Sequence, residues 1–149
     1  MAARLSIDKA LRAAVLAVPG VAELLESRVY ADEAVPQGET LPYASLTLIS
    51  GGRHKSLSGS LKSAKVRYQV DFFGTKEHAN ALAELVGARA EDGGLDGFKG
   101  SWGNADASAF VQSCFVVEDS AQHGAIDPAS AQEARIYYAG FDLKIWFNG

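Results

Sequence analysis

From Ala64 to Phe72 the chain alternates almost without interruption. Ala64, Val66, Tyr68, Val70 and Phe72 fall on one side of an extended backbone, and Lys65, Arg67, Gln69 and Asp71 fall on the other. Period two over this length predicts a strand at Ala64–Phe73 with one face on a core, closed by Gly74 and Thr75. The other elements can be read as covering or pairing with it. Upstream, Ile7, Ala10, Leu11, Ala14, Val15 and Val18 recur at helical spacing, which predicts an amphipathic helix over Leu5–Ala17 stopped by Pro19-Gly20. Val21–Leu25 reads as a short helical turn and Arg28–Tyr30 as a short strand or extended segment. Asp32–Leu41 reads as a loop with a turn at Pro36-Gln37-Gly38, and Tyr43–Ser50 as a strand beginning behind Pro42.

Gly51–Ser63 is rich in Ser and Gly and is expected to be the polar tip of a long hairpin. Thr75 is a good N-cap for a second main helix over Lys76–Ala90, whose buried stripe is Ala79, Leu82, Ala83, Val86 and Ala90. Gly93–Ser108 reads as a loop anchored by Leu95, Phe98 and Trp102. A strand follows at Ala109–Val117, then a polar loop at Asp119–Glu133 with a turn at Asp127-Pro128. The last strand, Ala134–Phe147, has an apolar face of Tyr137, Ala139, Phe141, Leu143, Ile145 and Phe147. The order predicts a single α+β domain over residues 1–149: a mostly antiparallel four-stranded sheet with two main helices packed on one face.

Composition narrows the function classes. A chain of 149 residues with 48% hydrophobic and 21% charged residues is globular rather than disordered. A net charge of -4 argues against a dedicated nucleic-acid binder. The one cysteine, Cys114, rules out an intramolecular disulfide and a cysteine-built zinc site. No signal-peptide pattern opens the chain, and the apolar run Ala13–Val18 is too short for a membrane span, so a soluble chain folded in a reducing cytoplasm is expected.

Chemistry is sparse. His54, His78 and His123 lie far apart in sequence and have no partner at metal-ligand spacing. Cys114 lies between apolar neighbours with no basic group beside it, as a structural thiol would. No Gly-x-Ser-x-Gly elbow occurs, and Gly93–Gly100 follows a helix and lacks the Gly-Lys-Ser/Thr end of a phosphate loop. The pairs Glu91-Asp92 and Glu118-Asp119 sit at element ends, where acids are solvated. No catalytic, cofactor or metal site is nominated, which leaves an enzyme or small ligand-binding domain without a pocket.

Two surfaces stand out instead. Arg53, His54, Lys55 and Lys62 gather positive charge in the hairpin region of an acidic protein. They read either as a solvated tip or as a contact for an acidic partner or passing nucleic acid. The outer side of the sheet would carry Lys65, Arg67, Asp71 and Phe73 beside Tyr138, Asp142, Lys144 and Trp146, mixing charges with aromatics as interfaces do. Trp146 and Phe73 could equally sit under a loop at the sheet's end. The candidate interface residues are therefore Arg53, His54, Lys55, Lys62, Arg67, Tyr138 and Trp146.

Several short motifs, in order, resemble the tail completion (tail terminator) family of long-tailed phages and phage-like particles. They are Leu11-Arg12-Ala13 through Pro19-Gly20-Val21, Arg28-Val29-Tyr30, Pro36-Gln37-Gly38, Leu41-Pro42-Tyr43-Ala44, and Val66 to Phe72 followed by Gly74. An alanine-rich helix, Leu95-Asp96-Gly97-Phe98-Lys99-Gly100, Glu118-Asp119, Asp127-Pro128 and Ile145-Trp146-Phe147 continue the match. The resemblance implies a virion assembly protein, made in the host cytoplasm, with no catalytic residues and no cofactor. Its partners would be other copies in a ring, usually of six, the major tail tube protein, and the connector at the head. DNA would pass through the lumen without sequence-specific binding, and no membrane would be involved. A neck or head-completion adaptor is the neighbouring reading.

Overall fold

The computed structural model describes residues 3–4, 6–31, 35–36, 39–56, 59–104, 107–126 and 135–148, with backbone alone for 3–4, 52–56 and 59–63. The elements are β1 (Ala3–Arg4), α1 (Ile7–Ala17), α2 (Val21–Leu25), β2 (Val29–Ala31), β3 (Tyr43–Ser56), β4 (Gly59–Gly74), α3 (Lys76–Gly87), β5 (Gly100–Gly103), β6 (Ala107–Val116), β7 (Gln122–Ile126) and β8 (Ile136–Asn148). The class is α+β, as the pattern predicts.

Helix α1 forms where the apolar spacing places it, with Ala10, Leu11, Ala14 and Val15 buried. Arg12 fixes it against β2: Nε donates to the Val29 carbonyl at 3.1 Å and Nη2 to the Ser27 carbonyl at 2.8 Å. Arg28 ties the next segment down, donating to the carbonyls of Pro42 at 2.9 Å and Leu24 at 3.0 Å. Thr75 caps α3 as expected, its Oγ1 accepting the His78 backbone N–H at 3.1 Å. The helix stops at Gly87 rather than running to Ala90, because the chain folds back on itself there. The Leu95 N–H donates to the Val86 carbonyl at 2.9 Å and the Asp96 N–H to the Ala88 carbonyl at 3.0 Å. A side chain at Gly94 would collide with the Ala88 carbonyl, so only glycine fits this return.

Among the described residues the sheet has eight strands, not four, with the path β1-β6-β8-β4-β3-β2 and with β5 on β6 and β7 on β8. The four expected strands are the four long ones. Strand β2 falls where the short extended segment Arg28–Tyr30 is read, and β1, β5 and β7, of two to five residues each, are too short to show period two. Strand β7 lies inside the stretch expected to be a polar loop. None of its five residues is buried, so no apolar alternation announces it. Within the stretch expected to be a loop, residues 51–56 and 59–63 are strand, and β3 and β4 pair as far as Ser56↔Gly59. Pairing is antiparallel except at β1–β6 and β2–β3. The turns expected at Pro36-Gln37-Gly38 and Asp127-Pro128 fall wholly or partly outside the described residues, although the Glu39 N–H does donate to the Pro36 carbonyl at 3.2 Å.

Helices and core lie on one face. Val66, Tyr68, Val70 and Phe72 of β4 join Phe141, Leu143, Ile145 and Phe147 of β8, with α1 and α3 packed over them. Leu95 and Trp102 are buried in the same cluster and Phe98 packs against it, its ring 5.6 Å from that of Trp102. Cys114 is buried here too, and burial, with the charge of Asp96 adding to it, pushes its thiol up to about 12. That is an inert structural thiol, as its sequence setting predicts.

Candidate functional site

The antiparallel register of β4 and β8 assembles the outer face pair by pair. Lys65 stands opposite Trp146, Arg67 opposite Lys144, Gln69 opposite Asp142, and Phe73 opposite Tyr138. Successive residues of a strand point to opposite faces, so all of these share the side away from the helices. The three outer-face site residues, Arg67, Tyr138 and Trp146, therefore lie on one continuous surface. No described helix covers it.

Its centre is a polar network. Arg67 Nε donates to Asp142 Oδ2 at 2.8 Å and Nη2 to the same oxygen at 2.6 Å. Asp142 is only 9% exposed, and its backbone N–H donates to Ser120 Oγ at 3.0 Å while that hydroxyl donates to the Val117 carbonyl at 2.6 Å. Gln69 Nε2 donates to Asp71 Oδ2 at 3.0 Å. Burial raises the carboxyl of Asp71 above its ordinary value; the hydrogen bond from Gln69 opposes this and the charge of Asp142 adds to it. Gly140 makes room for Asp71: a side chain there would meet Asp71 Oδ1 and the Val70 carbonyl.

Aromatic groups flank the network on both sides. At one end Tyr43 stacks on Phe73 at 5.0 Å, Phe73 lies 6.2 Å from Tyr138, and Tyr30 meets Tyr43 edge-on at 6.3 Å. At the other end Trp146 stacks on Phe115 at 5.5 Å, with Lys65 Nζ 5.3 Å from the Trp146 ring. Phe115 and Phe110 remain 37% and 44% exposed. Trp146 and Phe73 are thus part of an open face, each half-buried by neighbouring side chains across the strands. Sequence reasoning missed Phe115, Tyr43 and Ser120 here. The first two show in the alternation of β6 and β3, but Ser120 reaches Asp142 only through tertiary folding.

Of the basic residues, Arg53 stands on β3 opposite Ala64, which itself pairs with Phe147 of β8, whereas Lys55 stands opposite Ser60, beyond the last β8 pair, Asn148↔Ser63. His54 lies between them on β3 and Lys62 just beyond that last pair on β4, so by backbone register the group lies at the C-terminal end of β8, next to the Lys65↔Trp146 row and away from Arg67. A further feature escaped the sequence reading altogether. A groove of about 430 Å³ runs between α3 and β7, lined by Asn80, Ala83, Glu84, Gly87, Val116, Ala121, Gln122, His123 and Phe141 among others. It continues into a smaller cavity shared at Asn80 and His123 and reaching Lys76, Tyr137 and Tyr138. Among the described residues no group of three or more His, Cys, Asp and Glu side chains could hold a metal, and no helix is long and apolar enough to cross a membrane. His123 is exposed, on the groove rim, and His78 is half-buried at the start of α3.

The arrangement offers contact surfaces rather than a reaction centre. Residues 9–120 match the family described as tail completion protein gp17. The chain belongs to that family. It is a structural protein of the virion tail and not an enzyme. Among solved structures, a chain of "Virion of native gene transfer agent (GTA) particle" is similar in fold, with a TM-score of 0.57 over 97% of this chain and 98% of that one at 19% identity. No curated protein matches the chain.

Proposed function

We propose that this tail completion protein forms a ring, of six copies, on the head-proximal end of the tail tube. There it stops tail polymerisation and joins the tube to the head connector, and DNA passes through the ring's lumen. The whole chain, residues 1–149, acts as one unit. The family match over residues 9–120 carries the reading. Two features of the fold support it. The outer face of β4–β8 is pre-ordered by its own hydrogen bonds, and it continues onto β6, where Phe110 and Phe115 are exposed. A protein that stands between two different assemblies, inside a closed ring, needs several such surfaces: two sides for its neighbours and two ends for its partners.

The decisive measurement is the tail-length distribution, by electron microscopy, of particles made without this gene. Over-long, uneven tails without heads are expected. Tails of normal length that fail to join heads would instead favour a neck adaptor, and infectious particles would overturn both readings. The basic ribbon is tested separately. Changing Arg53, Lys55 and Lys62 together to Glu should leave the melting temperature unchanged and abolish capping. Normal capping by that variant would remove the ribbon from the function.

A further inference from the structure

Two structural features lie at opposite ends of β8. At its C-terminal end the β3–β4 ribbon continues alone, with the pairs Lys55↔Ser60 and Ser56↔Gly59 beyond the last β8 pair. The described strand residues there, 52–56 and 59–63, include Arg53, His54, Lys55 and Lys62 and no acid. At its N-terminal end, about 35 Å away at the rise of an extended strand, lies the α3–β7 groove. Its floor is apolar, with Phe141, Ala83 and Val116. Glu84 stands on its helix side, and the exposed Glu118 and Asp119 stand in the turn between the lining residues Val116 and Ala121. The one lining lysine, Lys76, belongs to the far cavity. Strand β7 pairs with β8 alone among the described residues. Its outer edge has no Lys, no Pro and no bulge, and Ile126 is 46% exposed. Such an edge accepts another extended segment.

We infer that the β3–β4 ribbon of one copy seats in the α3–β7 groove of the next copy, and that this head-to-tail contact closes the ring. The inference rests on the ring proposed above and names its contact. A closed ring of identical chains needs two different, complementary patches on each chain. Here one patch projects, is extended and is basic. The other is concave, is rimmed by acids and ends in an unpaired strand edge. Their separation along one rigid sheet lets a copy give its ribbon to one neighbour while it receives the ribbon of the other.

Charge exchange tests the contact in particle-producing cells, read as ring-capped tails counted by electron microscopy. Glu84→Lys alone, and Lys55→Glu with Lys62→Glu alone, should each reduce capped tails by ~tenfold or more through like-charge contact. A chain carrying all three changes should regain capping. So should a mixture of the two defective chains, because an even-numbered ring can alternate them with every contact opposite in charge. Asn80→Trp, at an exposed position shared by both cavities, should plug the groove and stay defective in every combination. Capping at the wild-type level by either charge variant would overturn the inference, and so would a loss that neither the combined chain nor the mixture repairs. Wild-type tails with no ring at all would overturn the ring reading itself, a result distinct from intact rings that ignore these substitutions.

Discussion

Strands β4 and β8 have two faces built by one backbone and set apart only by the alternation of side chains. On the inner face Val66, Tyr68, Val70 and Phe72 meet Phe141, Leu143 and Ile145, each 5% exposed or less. On the outer face the same two strands present Lys65, Arg67, Gln69, Asp71 and Phe73 against Trp146, Lys144, Asp142, Gly140 and Tyr138. The inner face is uniform because a core demands only volume and apolarity. The outer face is varied, and its polar groups bond to each other, Arg67 to Asp142 and Gln69 to Asp71, instead of reaching out singly into water. The contrast assigns folding to one side of the sheet and leaves the other side to be shaped for contact.

The sharpest test of that assignment is on the inner face. Phe72→Ala removes a fully buried ring that lies 6.4 Å from Phe141. It should cost ~3–5 kcal/mol in urea denaturation. A loss below ~1 kcal/mol would mean that the core does not dominate stability, and the contrast would fail. Gly140→Ala comes next, because it crowds the outer face beside Asp71. Its new methyl must displace the Asp71 side chain and meets the Val70 carbonyl, so a loss of ~1–3 kcal/mol is expected. An unchanged denaturation midpoint would show that the outer face yields freely and is not pre-ordered.

The same contrast explains what was legible before the structure. The inner faces of α1, α3, β4 and β8 announce themselves by period, since burial selects apolar residues at every turn or every second position. Partners across the sheet were legible too, once β4 and β8 were taken as neighbours, because alternation alone puts Arg67 and Trp146 on the same side. What stayed hidden had no burial to mark it. Strand β7, with its exposed Gln122, His123 and Ala125, is held by ladder bonds to β8 that any sequence can make. The extension of β3 and β4 to the pair Ser56↔Gly59 was hidden because that stretch is rich in Ser and Gly and shows no apolar alternation in sequence. The groove beside α3 was invisible for another reason: Asn80, Val116 and Phe141 lie far apart in sequence and meet only through the placing of β6 and β7 along one edge of β8.

On the outer face, Trp146→Ala separates packing from contact. The indole is half-buried, stacked on Phe115 and approached by Lys65, so its loss should cost only ~1 kcal/mol of stability. Tail capping should fall by more than this small destabilisation explains. A lower melting temperature with normal capping would return Trp146 to a purely structural role and narrow the contact surface to its remaining aromatics.

The smallest expected effect concerns Asp71, and it tests whether the outer face is dry enough to matter. Its carboxyl titrates above the ordinary 3.8, mainly because it is buried, so the folded protein holds the proton more tightly than the unfolded chain does. Folding then takes up a proton between 3.8 and the raised value. Stability falls as pH rises through that window, and the cost of the buried carboxylate persists at neutral pH. Asp71→Asn removes the titration and keeps an oxygen for Gln69. The variant should match the wild type below pH 3.8 and exceed it at pH 7 by less than ~1 kcal/mol, the site being only partly shielded from water. A variant less stable at pH 7 would mean that the ionised carboxylate is held by the cations around it. The outer face would then be an electrostatic network rather than a partly dried surface waiting for a partner.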